Sequence, residues 1–167
     1  ALASSAASLK QGPGLDTDSR IGPLVSQEQF ERVLGYIDIG KKEGVQVKAG
    51  GEWNKELGKG YFVKPTVLTN VNNSMRVAQE EIFGPVVAAI PFKDEADVIR
   101  QANQTIYGLS AGVWTTDVSK AHRLSRALRA GTVWVNCYNQ LDPISPFGGY
   151  KQSGFGRELG VHALDLY

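Results

Sequence analysis

Cysteine, histidine and methionine are scarce in this sequence. Its 167 residues include one Cys, two His and one Met. A single thiol, Cys137, excludes an intrachain disulfide and the paired thiolates of a structural zinc site. The isolated His122 and His162 do not form a ligand cluster, so we expect no bound metal. We expect a cytoplasmic location, because unpaired thiols persist in reducing compartments.

The sequence also lacks an excess of charge and a long apolar run. Lys and Arg number 18 and Asp and Glu number 17, which excludes a strongly basic nucleic-acid surface. The longest apolar run, residues 85–92, is far shorter than a membrane span. We therefore expect neither nucleic acid nor membrane as a partner. The chain begins without Met and stops at Tyr167 in sequence typical of ordered structure, so we expect a fragment.

The clearest helix start in the sequence lies at Ser26. Gln29 follows three residues later, as a capping box requires, and Val25 and Phe30 have the spacing of a hydrophobic staple. Apolar residues then recur with helical spacing. The candidate stops for this helix are Gly40 and Gly44.

Two further helices and five strands are predicted along the chain. The helices follow Asp94 and Asp117, and Gly131 is the candidate end of the second. The strand candidates are residues 45–49, 62–68, 86–90, 109–114 and 132–136. Alternation of helices with apolar strands predicts an α/β fold with a parallel sheet covered by helices. We see no internal linker and expect residues 1–167 to form a single domain.

A long loop follows the predicted strand at 132–136. Ligands of open α/β sheets bind beyond the carboxyl ends of strands, so this loop is a candidate site. Its glycines do not match a phosphate-binding loop, because Phe155 and Gly156 stand where that motif requires Lys and Ser or Thr. We interpret Cys137 as a packing residue, with a nucleophilic thiol as the alternative.

A pair of carboxylates, Glu80 and Glu81, precedes the apolar strand at 86–90. One carboxylate can accept hydrogen bonds from both hydroxyls of a vicinal diol, which is how a ribose is bound. From composition alone, a solvated acidic loop with a turn at Gly84 and Pro85 is the favoured interpretation. The residues themselves leave both interpretations open.

Several segments resemble signature sequences of the aldehyde dehydrogenases. Residues 80–86 read E-E-I-F-G-P-V, residues 131–136 read G-T-V-W-V-N, and residues 146–158 read P-F-G-G-Y-K-Q-S-G-F-G-R-E. Residues 21–25 and 60–67 resemble the same family in the same order. The resemblance implies the α/β fold of that family's catalytic domain. It also implies oxidation of an aldehyde to a carboxylic acid with NAD or NADP, through a thiohemiacetal and an acyl thioester.

The same resemblance implies that the main catalytic groups lie outside this sequence. The motif F-x-N-x-G-Q-x-C, which carries the family's nucleophile, does not occur here. The general base and the cofactor domain precede the matching region, and a closing segment that contributes to subunit association follows it. We expect residues 1–167 to be the C-terminal portion of the catalytic domain, inactive alone, from a homo-oligomeric enzyme. A non-catalytic domain that retains the fold for binding or assembly is the alternative.

Residue by residue, the resemblance assigns cofactor contacts to three positions. It implies that Glu81 binds the nicotinamide-ribose hydroxyls and that Phe83 packs beside the nicotinamide. Lys42 is a further candidate contact near a helix end.

The resemblance assigns the aldehyde pocket to the loop after the last predicted strand. Phe147 is expected to form an aromatic wall of the pocket, with Leu141 and Asn139 at its rim. Glu158 is expected to belong to a water and proton path behind the thiol.

Overall fold

The structure, a computed structural model, describes residues 1–166. These residues fall into two compact units, Ala1–Pro91 and the residues from Phe92 onward, and each unit is described by itself. The expectation that residues 1–167 form a single domain without an internal linker stays a prediction.

The first unit is a three-stranded sheet with helices. Its elements are α1 (Leu2–Ser8), α2 (Gln27–Lys42), β1 (Gln46–Ala49), a 3₁₀ turn (Lys55–Leu57), β2 (Thr66–Thr69), α3 (Arg76–Gln79) and β3 (Val86–Ala88). The strand order is β1-β2-β3, with β1 antiparallel to β2 and β2 parallel to β3. Thr66 pairs with Val86 at the start of the parallel ladder. The short helix α3, which lies in the crossover between β2 and β3, has no counterpart in the sequence prediction.

Helix α2 begins where the sequence predicts, but only part of the predicted cap forms. The Ser26 side chain accepts a hydrogen bond of 3.1 Å from the Gln29 backbone N–H. The Gln29 side chain does not return to the cap and instead bonds a distant segment. Val25 is 91% exposed, so the predicted staple is wrong. Phe30 packs instead against Trp53 and Tyr61, with ring centroids 6.0 Å apart in each pair.

The two glycines proposed as helix stops have different roles. Gly44 follows the end of α2 with φ +93°, a conformation that suits glycine. Gly40 lies inside the helix and is buried. A Cβ at Gly40 would lie 3.0 Å from Val77 Cγ1, so this glycine permits close packing of α2 on α3. The prediction of Gly40 as a stop is wrong, because tertiary packing requires a small residue there.

The core of the first unit packs α2 and α3 onto the sheet. One cluster of buried residues comprises Val33, Ile37 and Val63, and another comprises Val45, Leu68, Val71 and Val77. Full burial of such a side chain stabilises the fold by about 1.5–3 kcal/mol. This core fixes α2 beside the segment that carries Glu81.

The second unit contains two small sheets and two helices. Its elements are α4 (Glu95–Asn103), β4 (Tyr107–Gly108), β5 (Ser110–Val113), α5 (Val118–Ala127), β6 (Thr132–Val135), β7 (Tyr150–Lys151) and a 3₁₀ helix (Val161–Leu166). Strand β5 is parallel to β6, and β4 is antiparallel to β7. The parallel pair β5–β6 is connected through α5, and β2–β3 through α3, so the α/β prediction is confirmed.

Both helices of the second unit begin at the predicted caps. The Asp94 side chain accepts from the Asp97 N–H at 2.8 Å, and Asp117 accepts from the Lys120 N–H at 2.9 Å. Helix α5 ends at Ala127 because Leu128 is already extended, so Gly131 is not its stop. A Cβ at Gly131 would lie 1.6 Å from the Gly148 carbonyl oxygen, which explains the glycine by close backbone approach.

Within residues 1–166, no helix combines the length and the apolar character that crossing a bilayer requires.

Candidate functional site

The segment from Glu80 to Gly84 runs along one side of α2. The Gln29 Nε2 atom donates to the carbonyl oxygens of Ile82 at 3.0 Å and Phe83 at 2.9 Å. Arg32 Nη2 donates to the Glu81 carbonyl oxygen at 3.0 Å. Three successive carbonyls of the segment are therefore bonded to side chains of a single helix.

The end of this segment packs directly on the core. A Cβ at Gly84 would lie 2.6 Å from Val33 Cγ2, so no larger residue fits without displacement. The Pro85 carbonyl oxygen accepts from the Thr66 N–H at 2.8 Å, which joins the segment to β2. The backbone is thus fixed on both sides of the residues predicted to bind the cofactor.

Glu80 and Glu81 have opposite environments. Arg76 binds the Glu80 carboxylate through Nε at 2.7 Å and Nη2 at 2.8 Å, and the Tyr36 hydroxyl donates to it at 2.7 Å. These hydrogen bonds, that of Arg76 first, lower the pKa of Glu80 to about 2. The same carboxylate raises the pKa of Tyr36, chiefly by accepting its hydrogen bond. Glu80 is therefore engaged inside the unit.

The side chain of Glu81 is exposed. Among residues 1–166, the contacts of Glu81 involve its backbone, and no described side chain donates to its carboxylate. A carboxylate is an acceptor with two oxygens, a geometry that suits the two hydroxyls of a vicinal diol. The structure thus separates the two glutamates: Glu80 is bound internally and Glu81 is available to a ligand.

Phe83 lies two residues beyond Glu81 and is held in an unusual conformation. Its φ is +55°, in the left-handed region that L residues rarely adopt, and its side chain is 70% exposed. An exposed aromatic ring two positions from a free carboxylate offers a flat apolar surface beside a diol acceptor. The assignment of Glu81 and Phe83 to the ribose and nicotinamide of a cofactor stays a prediction.

Lys42 is not brought together with these two residues. It lies in the last turn of α2 and is exposed. It is six residues beyond Tyr36, or about 9 Å along the helix axis at about 1.5 Å per residue. Its assignment as a cofactor contact stays a prediction.

In the second unit, the structure pairs Phe147 with Glu158. Their backbones form an antiparallel bridge with two hydrogen bonds of 2.7 Å. Phe147 is half-buried, whereas the Glu158 side chain is exposed. The two residues predicted for the pocket wall and the proton path are thus adjacent, with Glu158 fixing the backbone of Phe147.

Asn139 and Leu141 flank a turn just after β6. Asn139 has φ +56°, and Leu141 is 51% exposed. Between them, the Gln140 carbonyl oxygen accepts from Trp134 Nε1 at 2.8 Å. This bond fastens the turn to β6 and leaves the side chain of Leu141 on the surface. Cys137 lies at the start of the same loop as a half-buried free thiol.

Arg157 stabilises the loop by donating hydrogen bonds to its backbone, a role that the sequence analysis does not predict. Its Nη1 atom donates to the carbonyl oxygens of Gly149 and Gly156, each at 2.8 Å. Its guanidinium lies 4.9 Å from the centroid of the Tyr150 ring. A Cβ at Gly148 would lie 2.9 Å from Arg157 Cδ, so this glycine leaves room for the arginine side chain.

Lys151 and Ser153 attach the loop to the rest of the second unit. Lys151 Nζ donates to the carbonyl oxygens of Asn103 at 3.1 Å and Thr105 at 3.0 Å, at the end of α4. Ser153 Oγ accepts from the Gly108 N–H at 3.1 Å. Polar residues of the 146–158 signature therefore hold the loop that presents Phe147.

The sequence of the chain is similar to those of known proteins. A family profile described as "Aldehyde dehydrogenase family" matches residues 1–167. The chain is 52% identical over 167 residues to the mitochondrial aldehyde dehydrogenase of Leishmania tarentolae, covering 99% of this chain and 33% of that protein. It is 52% identical over 164 residues to acetaldehyde dehydrogenase 2 of Cupriavidus necator, covering 96% of this chain and 32% of that protein.

A solved structure shares the fold as well as the sequence. The NAD⁺ complex of aldehyde dehydrogenase from Bacillus cereus is 54% identical and superposes with a TM-score of 0.96, covering 99% of this chain and 33% of that one. The chain thus spans about a third of the length of these relatives. The family and the fold that the signature segments predict are confirmed. This chain belongs to the aldehyde dehydrogenase family.

Proposed function

We propose that residues 1–167 act as the C-terminal part of the catalytic domain of an NAD(P)-dependent aldehyde dehydrogenase. The complete enzyme, a longer and homo-oligomeric protein, oxidises a small-molecule aldehyde to a carboxylic acid. The observation that carries the proposal is the exposed Glu81 carboxylate, left without a side-chain partner within the described residues beside a fully engaged Glu80. NAD⁺ bound to similar solved structures supports NAD as the cofactor.

The first unit supplies the cofactor contacts in this proposal. Glu81 accepts hydrogen bonds from the two nicotinamide-ribose hydroxyls and fixes the orientation of that sugar. The exposed ring of Phe83 lies against the nicotinamide and restricts its rotation. When bound, the nicotinamide supplies the hydride acceptor for aldehyde oxidation. Lys42, at the end of α2, is a further contact.

The second unit supplies the aldehyde contacts. Phe147 forms an aromatic wall of the aldehyde pocket, and Leu141 and Asn139 border the entrance. Glu158 belongs to a water and proton path behind the thiol, while the general base itself lies outside these residues. The backbone bridge between Phe147 and Glu158 supports this assignment, because it holds the backbones of the two residues in fixed register.

The nucleophile of the proposed reaction comes from outside these residues. Cys137 is half-buried in a loop braced for presenting Phe147, and the family's nucleophile motif is absent from this sequence. A thioester route needs a thiolate and a general base. Both are supplied by the preceding part of the complete enzyme.

A comparison of the 167-residue chain with the complete enzyme tests the proposal. With NAD and a panel of aldehydes, we expect NADH production by the complete enzyme and none by residues 1–167. Cys137→Ser in the complete enzyme should leave the rate within about twofold of the original, since the exchange removes no catalytic group.

Two results would contradict this assignment. NADH produced by the short chain and lost in Cys137→Ser would make Cys137 the nucleophile. A complete protein that folds yet oxidises no aldehyde and binds no NAD would favour a non-catalytic role in binding or assembly.

A further inference from the structure

One face of α2 contacts the segment 80–83 at successive positions. Gln29, Arg32 and Tyr36 are spaced by three and four residues, so their side chains lie on the same side of the helix. Moving along α2, they bond the carbonyls of Phe83 and Ile82, then the carbonyl of Glu81, then the carboxylate of Glu80. The segment therefore runs opposite to α2 and is held at each residue.

Gln29 bonds the backbone on both sides of the exposed Phe83. Its amide nitrogen donates to the carbonyls of both Ile82 and Phe83, so it fixes the peptide planes on the two sides of the Phe83 Cα. Phe83 has φ +55°, a conformation that persists only where surrounding contacts hold it. The two bonds from Gln29 provide such contacts at the point where the chain turns toward Gly84.

We propose that Gln29 is a positioning residue for the nicotinamide cofactor. By holding the 82–83 backbone, it keeps the Glu81 carboxylate and the Phe83 ring oriented before the cofactor arrives. This inference rests on the proposed function, because it requires that the exposed Glu81 binds the cofactor. Gln29 acts through the backbone of the segment and does not itself need to touch the cofactor.

The substitution Gln29→Met in the complete enzyme removes the donor and keeps the side-chain length and helix propensity. We expect the dissociation constant for NAD to rise about tenfold, the change that loss of one or two neutral hydrogen bonds produces in an equilibrium. The KM for the aldehyde should not change. Hydrogen exchange of the 80–85 peptide in the cofactor-free enzyme should accelerate.

Gln27→Met is the matched control. Gln27 lies in the same helical turn and makes its side-chain bond within α2, to Glu31 at 2.7 Å. The same chemical change there should leave both NAD affinity and exchange of the 80–85 peptide at their original values.

A double-mutant cycle with Glu81→Gln separates positioning from general destabilisation. If Gln29 acts by orienting Glu81, then Gln29→Met should have less than about a third of its effect in the Glu81→Gln background, because coupled residues are not additive. Full additivity of the two effects would overturn the proposal. So would Gln29→Met behaving like Gln27→Met in both affinity and exchange.

The proposed function can fail separately in the same experiment. If Glu81→Gln alone leaves NAD affinity unchanged, then Glu81 does not bind the ribose and the assignment of the site is wrong. If Glu81→Gln weakens NAD binding while Gln29→Met does not, the site stands and only the positioning role of Gln29 is refuted.

Discussion

The substitution Glu81→Gln separates the two adjacent carboxylates by function. It preserves the size of the side chain but removes its charge and replaces one acceptor oxygen with a donor. Because the Glu81 side chain is exposed and its carboxylate has no side-chain partner within residues 1–166, the change should leave the fold intact. Any loss of activity in the complete enzyme would then come from the contact with the cofactor.

The magnitude follows from the strength of one charge-assisted contact. A hydrogen bond to a charged group contributes on the order of 1.5–3 kcal/mol. Each 1.36 kcal/mol corresponds to about a tenfold change in rate. We therefore expect Glu81→Gln to lower kcat/KM for NAD by roughly ten- to a hundredfold, if the full contact is expressed in the transition state.

Glu80→Gln should have a different signature. The Glu80 carboxylate is bound by Arg76 and Tyr36, so the substitution disrupts internal bonds of the first unit. We expect it to lower the unfolding temperature and to change kcat/KM much less than Glu81→Gln does. Glu28→Gln, at an exposed acidic position in the first turn of α2, is the neutral control.

Steady-state kinetics with protonated and deuterated aldehyde measures these effects. Misplacement of the nicotinamide should make hydride transfer more rate-limiting, so the isotope effect should increase in Glu81→Gln. The reasoning is refuted if Glu81→Gln retains the original NAD affinity, turnover and isotope effect while Glu80→Gln is inactive though folded. That result would assign the ribose contact to Glu80.

Two further predictions concern stability. Gly131→Ala should destabilise the second unit by about 3 kcal/mol, at the upper end of overpacking costs, because the new Cβ would overlap the Gly148 carbonyl oxygen. Gly35→Ala should instead stabilise α2 by up to about 1 kcal/mol, because nothing lies within 4 Å of the new Cβ. Urea unfolding compares the two, and equal midpoints would contradict the steric argument. Because Arg76 lowers the pKa of Glu80 to about 2, below its ordinary value near 4.5, the stability from this pair is present above pH 4.5 and lost as the pH falls toward 2. Glu80→Gln should remove that part of the acid dependence in thermal melts, and an unchanged dependence would refute it.

The sequence by itself determines the parts of this protein that depend on neighbouring residues. The side chains of Ser26, Asp94 and Asp117 each cap a helix at the predicted position, because such a bond reaches a backbone N–H only three residues away. Strands β1, β2, β3, β5 and β6 each overlap a predicted strand. The signature segments also predicted the family, because those residue combinations are highly specific.

Only the tertiary structure decides which groups in these segments are engaged and which are free. Composition does not distinguish Glu80 from Glu81. The Glu80 carboxylate is engaged because it meets Tyr36, 44 positions away in sequence, and Arg76, in a helix that the sequence analysis does not predict. Gln29 has the spacing of a capping-box residue, yet its amide bonds carbonyls 53 and 54 positions away. Local propensity cannot reveal such partners, because they meet only after α2 packs on the sheet and brings the 80–84 segment beside it.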